Sequence, residues 1–246
     1  MDSTDAPSHG PLSTKTDPST GAPDLWFELP PGFVQFDLDE DSEVRLLRMA
    51  DAADSLFTGA TPEQKFSLVA SGEYILRTLI EAGAEHVSSC LLRSDGDNLS
   101  QGTYSVIIER PETGPQSQDR QGSAKRTAVQ WRSLYPDAEV GLVMLPYGIA
   151  ALCVRDQELQ IPGVIFGLDE PVSATVRQVQ FCVPLQTGPG SALFVFMTED
   201  IDKWPEYLDL LSGIMASVSP DDPGEPDEAT NERAEGPGGG RTETHA

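Results

Sequence analysis

Two kinds of periodicity alternate through the middle of the chain. Phe36 and Leu38 alternate with Gln35 and Asp37, the period of a half-buried strand. Just before them, Trp26-Phe27-Glu28-Leu29 and Phe33-Val34 flank Pro30-Pro31-Gly32, which predicts two short extended segments about a turn. From Glu43 to Phe57 the period changes. Val44, Leu47, Met49 or Ala50, Ala53 and Leu56 recur at helical spacing, and Asp41 or Ser42 stands where a cap belongs. Thr61-Pro62-Glu63-Gln64 opens a second helix with an N-cap hydroxyl, a proline at the first helical position and a capping-box glutamine. Phe66, Val69, Leu76 and Ile80 continue it, and Gly83 is a natural stop.

The pattern then returns to strands. His86 to Arg93 and Gly102 to Arg110 flank Asp95-Gly96-Asp97, a hairpin signal. A polar link, Thr113 to Gln118, leads into a helix over 119–134 that Pro136 stops. Val140–Leu145, Gly148–Arg155 and Val176–Pro184 read as strands, and Ala192–Thr198 pairs with the last across Thr187-Gly188-Pro189-Gly190. Trp204, Tyr207, Leu208, Leu211, Ile214 and Val218 form the stripe of a terminal helix, with Asp200 or Asp202 as cap and Pro205 in its first turn. The order is β-β-α-α-β-β-α-β-β-β-β-α. Hairpin links dominate, so the expected class is α+β: a mostly antiparallel sheet with helices packed on it, an α/β/α sandwich.

The flanks follow a different rule. Residues 1–24 hold little that is apolar beyond Met1 and Leu12, and from Ser219 onward there is no Val, Ile, Leu, Met or aromatic residue. Such segments bury too little to offset the entropy of ordering. A disordered N-terminal tail (1–24), one α+β domain (25–218) and a disordered acidic C-terminal tail (219–246) are therefore expected.

Charge narrows the partners. The C-terminal tail contributes −6 and the N-terminal tail −3, so 25–218 carries −15 of the formal −24. Nucleic acid and anionic membranes need clustered Lys and Arg and are disfavoured. No apolar stretch approaches the ~20 residues of a membrane span, and no basic-then-apolar run marks a Sec-type signal. Cys90, Cys153 and Cys182 are an odd set in or beside strand-like apolar runs, which fits buried thiols in a reducing compartment. A cytoplasmic, bacterial protein is expected; the Arg-over-Lys, Ala-, Gly- and Pro-rich composition fits a GC-rich genome.

Motifs for chemistry are scarce. Asp37, Asp39, Asp41 and Glu43 open like an EF-hand loop, but the positions needing Gly and Glu hold Ser42 and Arg48. A helix N-terminus complemented by carboxylates is the better reading. His9, His86 and His245 lie far apart, and no zinc spacing occurs. There is no Gly-x-Ser-x-Gly, P-loop or Gly-x-Gly-x-x-Gly. No catalytic residue, metal ligand or cofactor is expected.

One segment runs against the acidic background. The helix at 119–134 carries Arg120, Lys125, Arg126 and Arg132 against Asp119 alone. Arg120, Lys125 and Arg126 are the candidate partner-binding residues, suited to an acidic partner, an anionic ligand or the chain's own acidic tail. A solvated face pairing with nearby carboxylates is the plain alternative. Trp131, Tyr135 and Glu139 resemble the Trp and Tyr-x-x-x-Asp/Glu elements of type VII secretion substrates. Those look like helical hairpins with Trp-x-Gly in the bend, whereas Trp131-Arg132-Ser133 lies within a helix.

Two stretches resemble the PsbP-like α/β/α sandwich family, found in many uncharacterised actinobacterial proteins. They are Phe27-Glu28-Leu29-Pro30-Pro31-Gly32-Phe33, and Phe194-Val195-Phe196-Met197-Thr198-Glu199-Asp200 leading into Trp204-Pro205-Glu206-Tyr207-Leu208-Asp209-Leu210-Leu211. The helical pair at 43–82 departs from that pattern. The resemblance implies a binding or accessory role with no shared catalytic residues. The first expectation is thus a non-catalytic protein-binding or accessory factor with a protein partner. Two others stand beside it: a hydrolase or small-ligand-binding protein whose site is assembled from distant residues, and an accessory protein of a secretion system.

Overall fold

The computed structural model describes residues 12–13, 25–93, 99–110, 119–186 and 190–221. Two short strands open it, β1 (Leu12–Ser13) and β2 (Trp26–Phe27), paired with each other. Then come β3 (Phe33–Gln35), α1 (Ser42–Leu56), α2 (Pro62–Glu81), β4 (Ala84–Arg93) and β5 (Leu99–Glu109). After α3 (Arg120–Leu134) follow β6 (Glu139–Leu145), β7 (Gly148–Ile161), β8 (Val172–Pro184), β9 (Ser191–Thr198) and α4 (Trp204–Ser217). Strands β3 to β9 form one antiparallel sheet in the order β3-β4-β5-β9-β8-β7-β6. This is the α+β sandwich that the hairpin links predict. Among the described residues, no helix is long and apolar enough to cross a membrane.

Register assigns the faces, because residues directly opposite one another share a face. Tyr104, Phe196 and Val179 line one face in a row. There they pack with Leu25, Phe27 and the Tyr207, Leu211, Ile214 and Met215 stripe of α4. The other face is covered in two parts. Helix α2 brings Leu76 onto Val87 and Ala84, with Phe36 and Leu38 beside them. Helix α3 brings Ala128 and Trp131 onto Ala151, Cys182 and Val140.

Local chemistry explains most boundaries. The Thr61 hydroxyl accepts from the Gln64 amide while the Gln64 side chain accepts from the Thr61 amide, a complete capping box. Asp41 caps α1 through the Glu43 amide. Gly83 ends α2 at φ 84°, a left-handed position that suits glycine.

Three expectations need correction. Only part of the apolar stripe assigned to α1 is buried. Val44 and Leu47 are 54% and 69% exposed, and Leu56 is exposed too, while Arg45 and Ala53 are buried with Leu46 and Met49 half-buried. Arg45 takes the interface slot because Glu73 of α2 receives it. Strands β7 and β8 run beyond Arg155 and before Val176, as a two-stranded extension whose inward slots include Gln157 as well as Leu159. At α4, neither Asp200 nor Asp202 caps: Lys203 holds the N-cap position without a side-chain bond. The Asp200 carboxylate instead accepts from the Ser100 hydroxyl and the Gln101 amide. At the chain ends, Leu12–Ser13 pairs with Trp26–Phe27. Beyond residue 218, Ser219 and Trp26 exchange both backbone bonds, at 2.7 and 2.9 Å. Residues 1–11, 14–24 and 222–246, and the hairpin signals at 95–97 and 187–189, lie outside the described residues.

Candidate functional site

Helix α3 is positioned by small residues. Ala124 and Ala128 are buried, so the helix lies close on β7 and β8, and Trp131 anchors its C-terminal half. The Asp119 carboxylate accepts from the Gly122 amide at 2.8 Å and caps the helix. A Cβ on Gly122 would collide with that carboxylate, so glycine is the residue that fits.

This orientation sorts the candidate cations. Lys125, Arg126 and Arg132 are exposed, with Val129 between them 64% exposed. Lys125 and Arg132 are seven residues apart, about two turns, and share one flank of the helix. Among the described residues, neither Lys125 nor Arg126 is ion-paired. Arg120 does not join them. Five residues before Lys125, it is turned roughly 140° away on a helix of 3.6 residues per turn. It lines a depression of about 330 Å³ with Asp119, Tyr147, Gly148 and Pro184. That volume is near the low end of small-ligand sites, ~300–1,000 Å³.

The flank bearing Lys125 and Arg132 runs along β6, the last strand of the sheet. Arg132 donates to the Val140 carbonyl at 3.1 Å. Leu142 and Met144 stand on the same face as α3, 42% and 75% exposed. Sequence reasoning found the cations but not this apolar margin. Its signals were Val129 set among cations and an uncharged run, Val140 to Leu145, ending in a turn.

The reactive residue types are in the core. His86 is 1% exposed, edge-on to Phe27 at 5.2 Å between ring centres, with Nε2 3.2 Å from the Ser88 hydroxyl. Burial pushes its pKa down to about 4, so it is neutral near pH 7. Burial likewise pushes the Cys90 thiol up to about 12 and raises Cys153 and Cys182. Such thiols are poor nucleophiles. Tyr104 and Ser105 are buried with no hydrogen-bond partner for their hydroxyls among the described residues. Among those residues, no group of three His, Cys, Asp or Glu could hold a metal ion.

No family model matches the chain. No curated protein matches it either. A crystal structure from Bacteroides thetaiotaomicron VPI-5482 aligns at 9% identity over 82% of this chain, with a TM-score of 0.38. The chain spans 46% of that protein's length, and likeness at this level carries no argument.

Proposed function

We propose that this chain is a non-catalytic protein-binding or accessory factor of the bacterial cytosol, built as a PsbP-like sandwich, with α3 as its partner face. The observation that carries this reading is the outward side of α3. Two exposed cations flank an exposed valine on a body whose formal charge is −15. A cationic patch with an apolar centre on an otherwise acidic surface selects an acidic protein partner and repels most other proteins. The burial of His86 and of all three thiols supports a binding role over an acid–base or nucleophilic one. Tagged wild-type protein is expected to capture a specific partner that the Lys125→Glu/Arg126→Glu variant does not. Equal recovery by both proteins, or no specific partner for the wild type, sinks the reading.

A second reading draws on the depression beside Asp119 and Arg120, which suits a small anion. Arg120→Ala would then abolish a ligand-induced thermal shift while leaving partner capture intact.

A further inference from the structure

The open edge of the sheet lies beside the cationic flank of α3. Leu145 and Gly148 close the β6–β7 hairpin across two residues, Pro146 and Tyr147. In an antiparallel pair, the backbone groups of alternate residues face the neighbouring strand and the rest face away. Leu145, Val143 and Gly141 therefore point at β7, and Val140, Leu142 and Met144 present their N–H and C=O groups outward. The Arg132 bond to the Val140 carbonyl agrees with this. Arg132 occupies that acceptor, and among the described residues no group bonds the outward N–H and C=O of Leu142 and Met144.

Sheet edges are normally blunted by a short strand, a lysine, a proline, a bulge or an inward charge. The opposite edge follows that practice: β3 has three residues and follows Pro30-Pro31. The β6 edge does not. It has seven residues, no proline or lysine, a regular register with β7, and two exposed apolar side chains on the α3 side. Its one charged residue, Glu139, lies on the other face, where it acts on Arg177. On the α3 side, the flanking charges are Lys125 and Arg132, with Val129 nearby.

We infer that β6 is a docking edge for an extended acidic segment of a partner protein, added as an eighth strand. Main-chain bonds to Leu142 and Met144 supply affinity that any extended chain would share. Selection comes from alternation. On one side of the added strand, acidic side chains meet Lys125 and Arg132, and apolar ones cover Leu142, Met144 and Val129. A second copy of this chain fits less well. Two-fold pairing of β6 on itself would set the two cationic flanks side by side and join two bodies of formal charge −15. The inference rests on the reading of α3 as the partner face and adds the edge and the class of segment that it takes.

The test uses the full chain and two labelled nonapeptides, one alternating valine with glutamate and one alternating valine with lysine. Fluorescence anisotropy is expected to give at least tenfold tighter binding of the glutamate peptide, weakening as salt is raised. Leu142→Pro removes an outward N–H that no neighbouring strand uses, a change edge strands tolerate. It should weaken binding at least tenfold with an unchanged melting temperature. Met144→Asp, at an already exposed side chain, should do the same without touching the backbone. Lys125→Glu, on the flank that faces the edge, should reduce the preference for glutamate. Equal affinity for the two peptides overturns the inference, as does unchanged binding by both edge variants. A wild-type dimer that Leu142→Pro converts to monomer in sedimentation assigns the edge to a second copy and also overturns it. If Lys125→Glu/Arg126→Glu abolishes partner capture while both edge variants retain it, the role of α3 stands and the edge inference alone falls.

Discussion

Single positions in this fold are decided by which atoms stand next to them. Gly102 lies in β5, opposite Thr198, where a Cβ would enter the ring of Phe196. Phe196 is 1% exposed and packs against Tyr207 at 4.8 Å, so it has nowhere to retreat. Gly102→Ala is therefore expected to destabilise the protein by about 1–3 kcal/mol, the usual cost of overpacking a core. The midpoint of urea unfolding checks this; a midpoint equal to wild type would mean that the ring moves freely. No sequence pattern announces such a glycine, because the constraint comes from a residue almost a hundred positions away. The same holds in part for Arg120, Lys125 and Arg126. Their charge, helix and spacing were legible, and the spacing already turns Arg120 away from Lys125; what each of them faces follows from which side of α3 its alanines bury.

At the scale of elements, the pairing of α1 with α2 rests on a buried ion pair. Arg45 Nε and Nη2 donate to the two Glu73 oxygens at 2.8 and 2.7 Å, and Nη1 donates to the Glu40 carbonyl. Glu73 and Glu40 hold the Arg45 guanidinium pKa above its ordinary value against the opposing effect of burial. A pair of this kind is costly to break from one side, because the survivor is left buried and uncompensated. Arg45→Met is expected to lose about 3–5 kcal/mol. The double change Arg45→Met/Glu73→Leu should recover most of it, as read by chemical denaturation of the three variants. Additive losses would show that the pair is not coupled. This pair also explains why the apolar stripe of α1 is only partly buried. Hydrophobic periodicity gives the interface to Val44 and Leu47, and only the long-range match between Arg45 and Glu73 overrules it. By contrast, α2 carried its capping box and glycine stop in plain sequence, and its span followed.

For the molecule as a whole, the buried histidine couples stability to pH. His86 has a folded pKa of about 4 against the usual 6.5. The unfolded chain therefore binds the extra proton across that window, and stability falls as pH drops from about 6.5 toward 4. Above 6.5 the contribution is fully present; below 4 no further loss comes from this group. A shift of that size corresponds to roughly 3 kcal/mol. Unfolding free energies at pH 7 and pH 4.5 should differ more in the wild type than in His86→Phe, and parallel losses would place the acid sensitivity elsewhere. The layered antiparallel architecture was legible because hairpin signals and helix caps are local. The strand order was not: nothing near β5 or β9 in sequence says that they are neighbours.

That adjacency has a kinetic consequence. The sheet is two runs of consecutive strands: β3-β4-β5, with α1 and α2 between its first two strands, and β6-β7-β8-β9, whose links are all short. One seam joins them, from Gly102 opposite Thr198 to Glu109 opposite Ser191, and even its nearer end spans 82 residues of chain. Every other pairing in the large sheet, save that of β3 with β4, forms between consecutive strands of one hairpin. Closing the long loop is the entropically expensive event in assembly. The two halves must meet before Tyr104, Phe194 and Phe196 share a core, so the time the chain spends with its aromatic rows exposed is the time this one closure takes.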